Sequence, residues 1–373
     1  MKNRSVVAIA ASLLILTGCN NNQNKNKDEK VMVETSVIHE MEFDSVYGNL
    51  TIEDFMKQGF DFGDSVDVSF STGYTFEDIP FYDGYYVKTG DPLVVGYPGY
   101  PHIDFATNNK ANCYQNLELS DGDTMTITLN EKGKYLVEQE TFSIKYFDER
   151  DKYSTDEVFA NFRSMKLSTM KDNIFYRGAS PVDNQHNRAA YADQLIKEAG
   201  VDFILDLADN EDEINSYIAK EGFCSQYALN LYNEGNIALL DMGADFKSSV
   251  FRTKLVSGLT ELINHDGPFY VHCTEGKDRT GFVCFLLGAL TNATYDELEA
   301  DYMITYDNYY GITKDNNLPK YQAIVNLKFM DFVNFLAPDA STTDTYKNEA
   351  IQYLIDGGMN INDINTLISI IQK

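Results

Sequence analysis

The most constraining feature of this sequence is a short polar loop between two apolar segments. Phe269-Tyr270-Val271 has the composition of a buried strand, and the residues from Phe282 to Leu290 have that of a buried helix. The loop between them reads His272-Cys273-Thr274-Glu275-Gly276-Lys277-Asp278-Arg279-Thr280-Gly281. A tight loop that leads from a strand into a helix presents backbone N–H groups and the positive end of the helix dipole. The segment therefore predicts an anion-binding site.

Two side chains of this loop are suited to chemistry on a bound phosphate. Cys273 lies at the mouth of the predicted site, where the helix dipole and Arg279 favour the thiolate, so it is a candidate nucleophile. Arg279 follows six residues later and can offer a planar pair of N–H donors to two phosphate oxygens, which a lysine cannot. Gly276 permits the positive φ angle that such a tightly curled loop needs.

The first part of the chain has the pattern of a β-rich domain. Alternating or β-branched runs are separated by Gly, Asp and Asn turns; they include Val66-Asp67-Val68-Ser69-Phe70, Leu93-Val94-Val95 and Thr124-Met125-Thr126-Ile127-Thr128-Leu129. We therefore predict a small barrel or sandwich over residues 31–150. Tyrosines crowd this region and could form a ligand-binding patch, but half-buried packing is the more common role; they are Tyr82, Tyr85, Tyr86, Tyr97 and Tyr100.

The second part of the chain has a different pattern. Charges cluster over residues 148–155, where we place a domain boundary. Beyond it, helical periodicity over residues 187–199 and 247–264 alternates with short apolar runs at 201–205 and 237–240. This order predicts an α/β domain over residues 155–373, with a mostly parallel sheet covered by helices on both faces. Function in such a domain is expected at the carboxyl ends of the strands.

The polar loop resembles the C-x5-R signature of cysteine-dependent phosphatases. It is most similar to the longer form H-C-x-x-G-K-D-R-T-G of bacterial tyrosine and dual-specificity phosphatases, the lipid-directed members included. Further segments resemble family motifs: Phe175 to Pro181 (Y-R-[SG]-x-x-P), Ile204 to Leu207 (V-I-D-L-R), Ala300 to Met303 (A-D-Y-L), and Tyr353-Leu354 with Ile361 to Ile371 (the closing helical segment). One departure is Ala208, which stands where the family usually has an arginine.

The resemblance implies a two-step reaction through a phosphocysteine on Cys273, with Arg279 and the loop N–H groups holding the phosphate oxygens. It also implies that Thr280 hydrogen-bonds the sulfur and that His272 braces the loop through its ring. No metal or other cofactor is expected. The candidate phosphate-binding residues are Thr274, Glu275, Gly276, Lys277, Asp278, Arg279 and Arg177.

The general acid is open among three aspartates. Related folds carry this residue on a loop after the strand about thirty residues upstream, a position that corresponds here to Asp241 or Asp245. Asp278 lies in the loop itself, where it could position water or move protons.

The substrate is also open. Lys277 and Arg177 could add cations that favour substrates with more than one phosphate. We expect a phosphotyrosine or phosphoprotein substrate, with a phosphoinositide or inositol phosphate as the alternative. A further alternative is a surface-anchored binding protein with an inactive phosphatase domain, but the intact Cys273 and Arg279 argue against it.

The N-terminus indicates export and membrane attachment. Residues 1–19 have a basic start, a short apolar stretch and Leu16-Thr17-Gly18-Cys19, which resembles a bacterial lipobox with Cys19 as the lipidated residue. Residues 20–30 read as a disordered tether, so we expect an extracytoplasmic lipoprotein held to the membrane by its lipid.

The net charge of −27 argues against nucleic acid as a partner. We expect no required disulfide, because Cys273 must be a free thiol.

Overall fold

The structure is a computed structural model that describes residues 30–109, 113–338 and 342–373. The predicted signal peptide, its Cys19 and all but the last residue of the predicted tether lie outside the described residues. Over the described part of the chain, no helix combines the length and the apolar character needed to cross a bilayer.

The N-terminal region is a closed β-barrel. Its strands are β1 (Met32–Glu40), β2 (Ser45–Thr51), β3 (Ser65–Phe70), β4 (Thr75–Tyr82), β5 (Pro92–Val95), β6 (His102–Thr107) and β7 (Thr124–Glu131). They follow the order β1-β2-β6-β5-β4-β3-β7, and the pairing of β1 with β7 closes the barrel. Neighbours are antiparallel except for β4 and β5, which run parallel.

Alternation along the strands sorts the barrel side chains into two sets. On β3, Val66, Val68 and Phe70 point into the core, and helix α1 (Ile52–Lys57) adds Phe55 to it. The intervening residues of each strand point outward, where some of them are covered by loops. The short helix α2 (Cys113–Asn116) packs beside β2.

A connecting segment joins the barrel to the rest of the chain. It contains α3 (Leu136–Phe142), a 3-10 turn (Arg150–Lys152) and α4 (Asp156–Phe159). Phe142 packs at the edge of the second core, and Glu140 pairs with Lys320 at 3.3 Å. Residues before the predicted boundary therefore contact the second part of the chain.

The second part is built on a twisted sheet. Its strands are β8 (Arg163–Ser164), β9 (Phe175–Gly178), β10 (Phe203–Asp206), β11 (Ile237–Leu239) and β12 (Phe269–His272). The order is β11-β10-β12-β9-β8; all neighbours are parallel except β8, which is antiparallel to β9. The carboxyl ends of β9, β10 and β12 meet at one edge, where His272 is paired with Gly178 and with Asp206.

Helices cover both faces of this sheet. They are α5 (Ala189–Glu198), α6 (Glu211–Ile218), α7 (Gln226–Glu234), α8 (Ser249–Leu262), α9 (Asp278–Leu290), α10 (Tyr295–Tyr310), α11 (Leu318–Ile324), α12 (Met330–Leu336), α13 (Thr343–Asp356) and α14 (Ile361–Ile371), with a π-helical stretch at Val325–Phe329. Phe203 and Leu205 of β10 pack toward α8 and α9, whereas Ile204 packs toward α5, α6 and α7. Helix α9 is buried all round from Thr280 onward, which explains its uniformly apolar sequence. The prediction of a mixed α/β chain with a β-rich N-terminal region is confirmed; its domain limits stay a prediction.

Candidate active site

The predicted anion loop follows β12 directly and runs into α9. Cys273 is the first residue after the strand and is a free, buried thiol. The loop lies at the edge where the parallel strands end, as expected for a site in an α/β domain. The other cysteines of the described residues, Cys113, Cys224 and Cys284, are also unpaired.

The loop carbonyls are held from the buried side of the site. The Tyr309 hydroxyl donates to the Glu275 carbonyl at 2.7 Å, and the Asn161 amide donates to the Gly276 carbonyl at 3.2 Å. In a planar trans peptide the N–H points opposite to the C=O, so the N–H groups of Gly276 and Lys277 face the other way. Within the described residues these N–H groups have no acceptor. The loop thus presents free donors to an anion.

Gly276 fixes the loop against β9. Its φ angle is +67°, and a Cβ atom there would lie 2.1 Å from the Gly178 carbonyl oxygen. No other residue fits this approach without displacing the backbone.

Arg279 lies at the side of the loop. Its Nη1 donates to the Met242 carbonyl at 2.8 Å and its Nη2 donates to the Thr274 hydroxyl at 3.4 Å. The guanidinium is half-buried, so these contacts orient it while part of it stays accessible.

The His272 ring lies between the Cys273 carbonyl and Asp206 of β10. Its Nδ1 lies 3.4 Å from the Cys273 carbonyl oxygen and its Nε2 lies 3.7 Å from Asp206. Burial lowers the pKa of His272 to about 4, so the ring is neutral at neutral pH. The bracing role of His272 stays a prediction.

Two buried aspartates beside His272 were not singled out from the sequence. Asp206 accepts the amides of Ala208 and Asp209 at 2.9 and 3.1 Å, and Asp209 accepts the Tyr217 hydroxyl at 3.2 Å. Burial raises the pKa of both carboxyls, and the nearby charge of Asp206 raises the pKa of Asp209 further. The sequence signal for these two carboxylates is the pattern Asp206-Leu207-Ala208-Asp209, which follows an apolar run.

The predicted phosphate contact of Arg177 is wrong. Its side chain is fully buried; Nη1 donates to Asp301 at 2.6 Å, and Nη2 donates to the Gly276 carbonyl at 3.2 Å. The salt bridge satisfies a charge that burial would otherwise destabilise. Arg177 therefore supports the loop from below and is not exposed to a ligand.

Lys277 and Glu275 form an ion pair with each other, so neither side chain is free to contact a ligand. The Lys277 ammonium lies 2.9 Å from the Glu275 carboxylate and 3.3 Å from the Tyr310 hydroxyl. The Tyr146 hydroxyl donates to the same carboxylate. Burial raises the pKa of Glu275, but Lys277 and Tyr146 outweigh burial and hold this pKa below its ordinary value. Sequence reasoning missed Tyr146, which precedes the predicted domain boundary.

Thr280 is fully buried, and within the described part of the chain its hydroxyl has no hydrogen-bond partner. The predicted hydrogen bond to the Cys273 sulfur is therefore absent from this structure. The hydroxyl is available for such a bond, because no other group occupies it.

The three candidate acids have different surroundings. The Asp241 carboxylate pairs with Lys254 of α8 at 3.2 Å, and that of Asp245 accepts the Lys247 amide at 3.1 Å in the turn before α8. Asp278 is the first residue of α9 and is exposed; its carboxylate lies 3.9 Å from the Lys277 ammonium. Within the described residues, its carboxylate accepts no hydrogen bond.

A family model and several solved structures match this chain. A family model described as "Tyrosine phosphatase family" matches residues 159–354. No curated protein sequence matches the chain. Similar solved structures include TpbA of P. aeruginosa, with 13% identity over 51% of this chain and 96% of that chain and a TM-score of 0.27. An uncharacterized conserved protein from Thermotoga maritima is 25% identical over 29% of this chain and 40% of that chain, with a TM-score of 0.23. The present chain thus spans less than half the length of the T. maritima protein. Because the family model covers more than half of the chain, the protein belongs to the tyrosine phosphatase family.

Proposed function

We propose that this protein hydrolyses phosphoric monoesters through a phosphocysteine on Cys273, and that phosphotyrosine in proteins is its main substrate. The observation that carries the proposal is the loop itself. It has a free thiol at its start, two N–H groups, of Gly276 and Lys277, without acceptors among the described residues, and Arg279 oriented beside it. Family membership supports the same chemistry.

In the proposed reaction the Cys273 sulfur attacks phosphorus, an S–P bond forms, and the P–O bond to the leaving oxygen breaks. The loop N–H groups and Arg279 stabilise the charge on the remaining oxygens. Water then attacks phosphorus, the S–P bond breaks, and inorganic phosphate departs. Thr280 stabilises the departing thiolate once its hydroxyl turns to the sulfur.

We assign the proton donor to Asp278 rather than to Asp241. Asp278 is exposed within the loop and lies 3.9 Å from the Lys277 ammonium, whereas Asp241 is more closely paired, with Lys254 at 3.2 Å. Loss of a general acid slows esters with poor leaving groups more than p-nitrophenyl phosphate, whose leaving group hardly needs a proton. Asp278→Asn should show this contrast on a phosphotyrosine peptide. If Asp241→Asn shows it instead, the assignment is wrong.

The ion pairs around the loop favour a substrate with a single phosphate. Arg177 is buried beneath the loop and paired with Asp301, and Lys277 is paired with Glu275. Neither cation is therefore free to bind a second phosphate. The phosphoinositide alternative needs Lys277 to leave Glu275. Lys277→Ala should then damage multiply phosphorylated substrates more than a monophosphate peptide; equal losses on both classes would remove the support for this alternative.

One assay series tests the proposal. Phosphate release is measured from a phosphotyrosine peptide, a phosphoserine peptide, phosphoinositides and phytate. Cys273→Ser should abolish turnover while phosphate-ester binding persists, because serine is a poor nucleophile at an otherwise intact site. Cys224→Ser, at an exposed free cysteine, is the matched control. Unchanged turnover in Cys273→Ser overturns the mechanism, and absence of turnover in the wild type supports the inactive binding-protein alternative.

We further propose that a lipid on Cys19 holds the enzyme at an extracytoplasmic membrane face, so that its substrates are surface or external phosphoesters. The lipobox-like sequence supports this location. Metabolic labelling with a fatty-acid analogue tests it: label should be incorporated by the wild type and lost in Cys19→Ala.

A further inference from the structure

A cavity of about 630 Å³ lies against the outer wall of the barrel. Ser45 and Tyr47 of β2 and Asp104 of β6 line it, while the alternate residues Val46 and Phe105 belong to the barrel core. The cavity therefore lies outside the barrel, between two strands and the loops that cover them. It is separate from the phosphatase loop, which lies at the end of β12.

Acidic side chains define the charge of this cavity. Glu40, Glu42, Asp44 and Asp104 line it, and its described lining includes neither Lys nor Arg. Glu40 accepts the backbone amide of Glu42 at 2.9 Å, and Asp44 is paired with His39. Burial disfavours the charged form of Asp104 more than its neighbours Ser45, Tyr85 and the Val46 amide favour it.

Asp104 is the least expected residue in the cavity wall. It is 7% exposed, and its Oδ1 has no hydrogen-bond partner among the described residues. Ser45, on the neighbouring strand, is 3% exposed and its hydroxyl is likewise without a partner there. A buried carboxylate oxygen without a partner destabilises a fold, so Asp104 lowers the stability of the barrel. Both groups line the cavity and remain available to a ligand.

Three tyrosines form an aromatic arc in the same cavity. Tyr85 and Tyr97 have ring centroids 6.1 Å apart, and Tyr97 and Tyr100 have centroids 5.7 Å apart. Each of the three is partly exposed. Tyr82 and Tyr86, from the same tyrosine-rich stretch, pack instead into a small cluster with Leu93 and Val95. The tyrosines thus divide into a packing set and a cavity set.

We propose that this cavity binds a linear polyamine. Protonated amines supply N–H donors to the unpaired Oδ1 of Asp104 and to the Ser45 hydroxyl, and several ammonium groups balance several carboxylates. Ammonium and alkyl groups also bind favourably to the faces of tyrosine rings. A neutral sugar offers donors but leaves the carboxylate charges unbalanced, and an anion is repelled. The proposal is independent of the phosphatase reaction.

The test is calorimetric titration of the full chain with spermidine at physiological salt. Choline, which has a charge but no N–H donor, and maltose, which has donors but no charge, are the comparison ligands. We expect spermidine to bind at one site. Asp104→Asn should weaken that binding at least about tenfold, as expected for a charged hydrogen bond. Glu77→Gln, which removes an exposed acid from β4 outside the cavity, should change it less than about twofold.

A second variant guards against indirect effects of the buried substitution. Tyr97 is 45% exposed, so Tyr97→Ala should leave the fold intact and weaken spermidine about two- to fivefold. The proposal is overturned if spermidine does not bind, if choline or maltose binds as tightly, or if Glu77→Gln weakens binding as much as Asp104→Asn. The last result would show general attraction to an acidic surface.

The pH dependence gives a further check. Burial, with the charge of Glu40, raises the pKa of Asp104 to about 7. The other titratable groups that line the cavity with it are Glu42 and Asp44 between β1 and β2, Tyr47 on β2, Tyr85, Tyr97 and Tyr100 on the covering loops, Cys113 on α2 and His102 on β6 itself. Spermidine affinity should rise between pH 6 and pH 8 in the wild type, and this rise should be smaller in Asp104→Asn. An equal rise in both proteins contradicts the role of Asp104.

Discussion

Gly276 and Gly178 approach so closely that a Cβ atom at position 276 would lie 2.1 Å from the Gly178 carbonyl oxygen. Gly178 ends β9 and Gly276 lies midway along the phosphatase loop. This contact, with the hydrogen bonds to the Glu275 and Gly276 carbonyls, sets which way the loop N–H groups face. The position of the loop therefore depends on the end of a strand about a hundred residues earlier in the chain.

Gly276→Ala should move the loop, because alanine fits neither the contact nor the positive φ angle. A misplacement of about 1 Å costs about a hundredfold in rate, so we expect kcat/KM to fall by at least that much. Gly243→Ala is the control: a Cβ there meets no atom within 4 Å, and activity should change less than threefold. Comparable activity in the two variants contradicts this account of the loop.

Arg279→Lys should lose the paired donors and the contact to the Met242 carbonyl. A lysine keeps the charge but cannot reproduce the planar geometry, so we expect kcat/KM to fall about a hundredfold or more. The matched conservative change is Arg252→Lys on α8, which should have little effect. A loss of less than about threefold in Arg279→Lys would place this arginine away from the phosphate.

The segment before the predicted boundary should contribute to activity. Residues 150–373 contain all the proposed chemical groups but lack Tyr146, which donates to Glu275, and Asp148, which pairs with Arg188 at 2.8 Å. A fragment of residues 133–373 keeps both contacts and should have the higher kcat/KM, by several-fold. Tyr146→Phe in the full chain should reproduce part of the difference. Equal activity of the two fragments would limit the catalytic unit to residues 150–373.

Asp104→Asn should stabilise the protein at high pH. Burial raises the folded-state pKa of Asp104 to about 7, from an ordinary value of 3.8. Between these values the unfolded chain releases a proton that the folded protein keeps, so rising pH favours unfolding. Asparagine mimics the protonated form and avoids this loss. The variant should have a melting temperature several degrees above that of the wild type at pH 8, and nearly the same one at pH 4. A difference that does not depend on pH would show that Asp104 is not the titrating group.

Local pattern in the sequence was sufficient to identify the phosphatase loop and the family. Strand and helix propensity are properties of neighbouring residues, so Phe269-Tyr270-Val271 and the apolar helix from Phe282 predicted the elements on either side of Cys273. The alternating runs likewise predicted β3, β5 and β7. The family assignment is confirmed. The roles of Cys273 and Arg279 stay predictions that the assays above address.

Only the tertiary structure decided which charges are free and which are paired. In the sequence motifs, Arg177 and Lys277 are both cations near one loop. In the structure, Arg177 pairs with Asp301 of α10, and Lys277 pairs with Glu275, which also accepts a hydrogen bond from Tyr146. The barrel tyrosines divide in the same way, because which face of a strand a loop covers depends on distant segments. The charge of a side chain follows from its residue type alone. Its partner and its exposure depend on which distant elements pack around it.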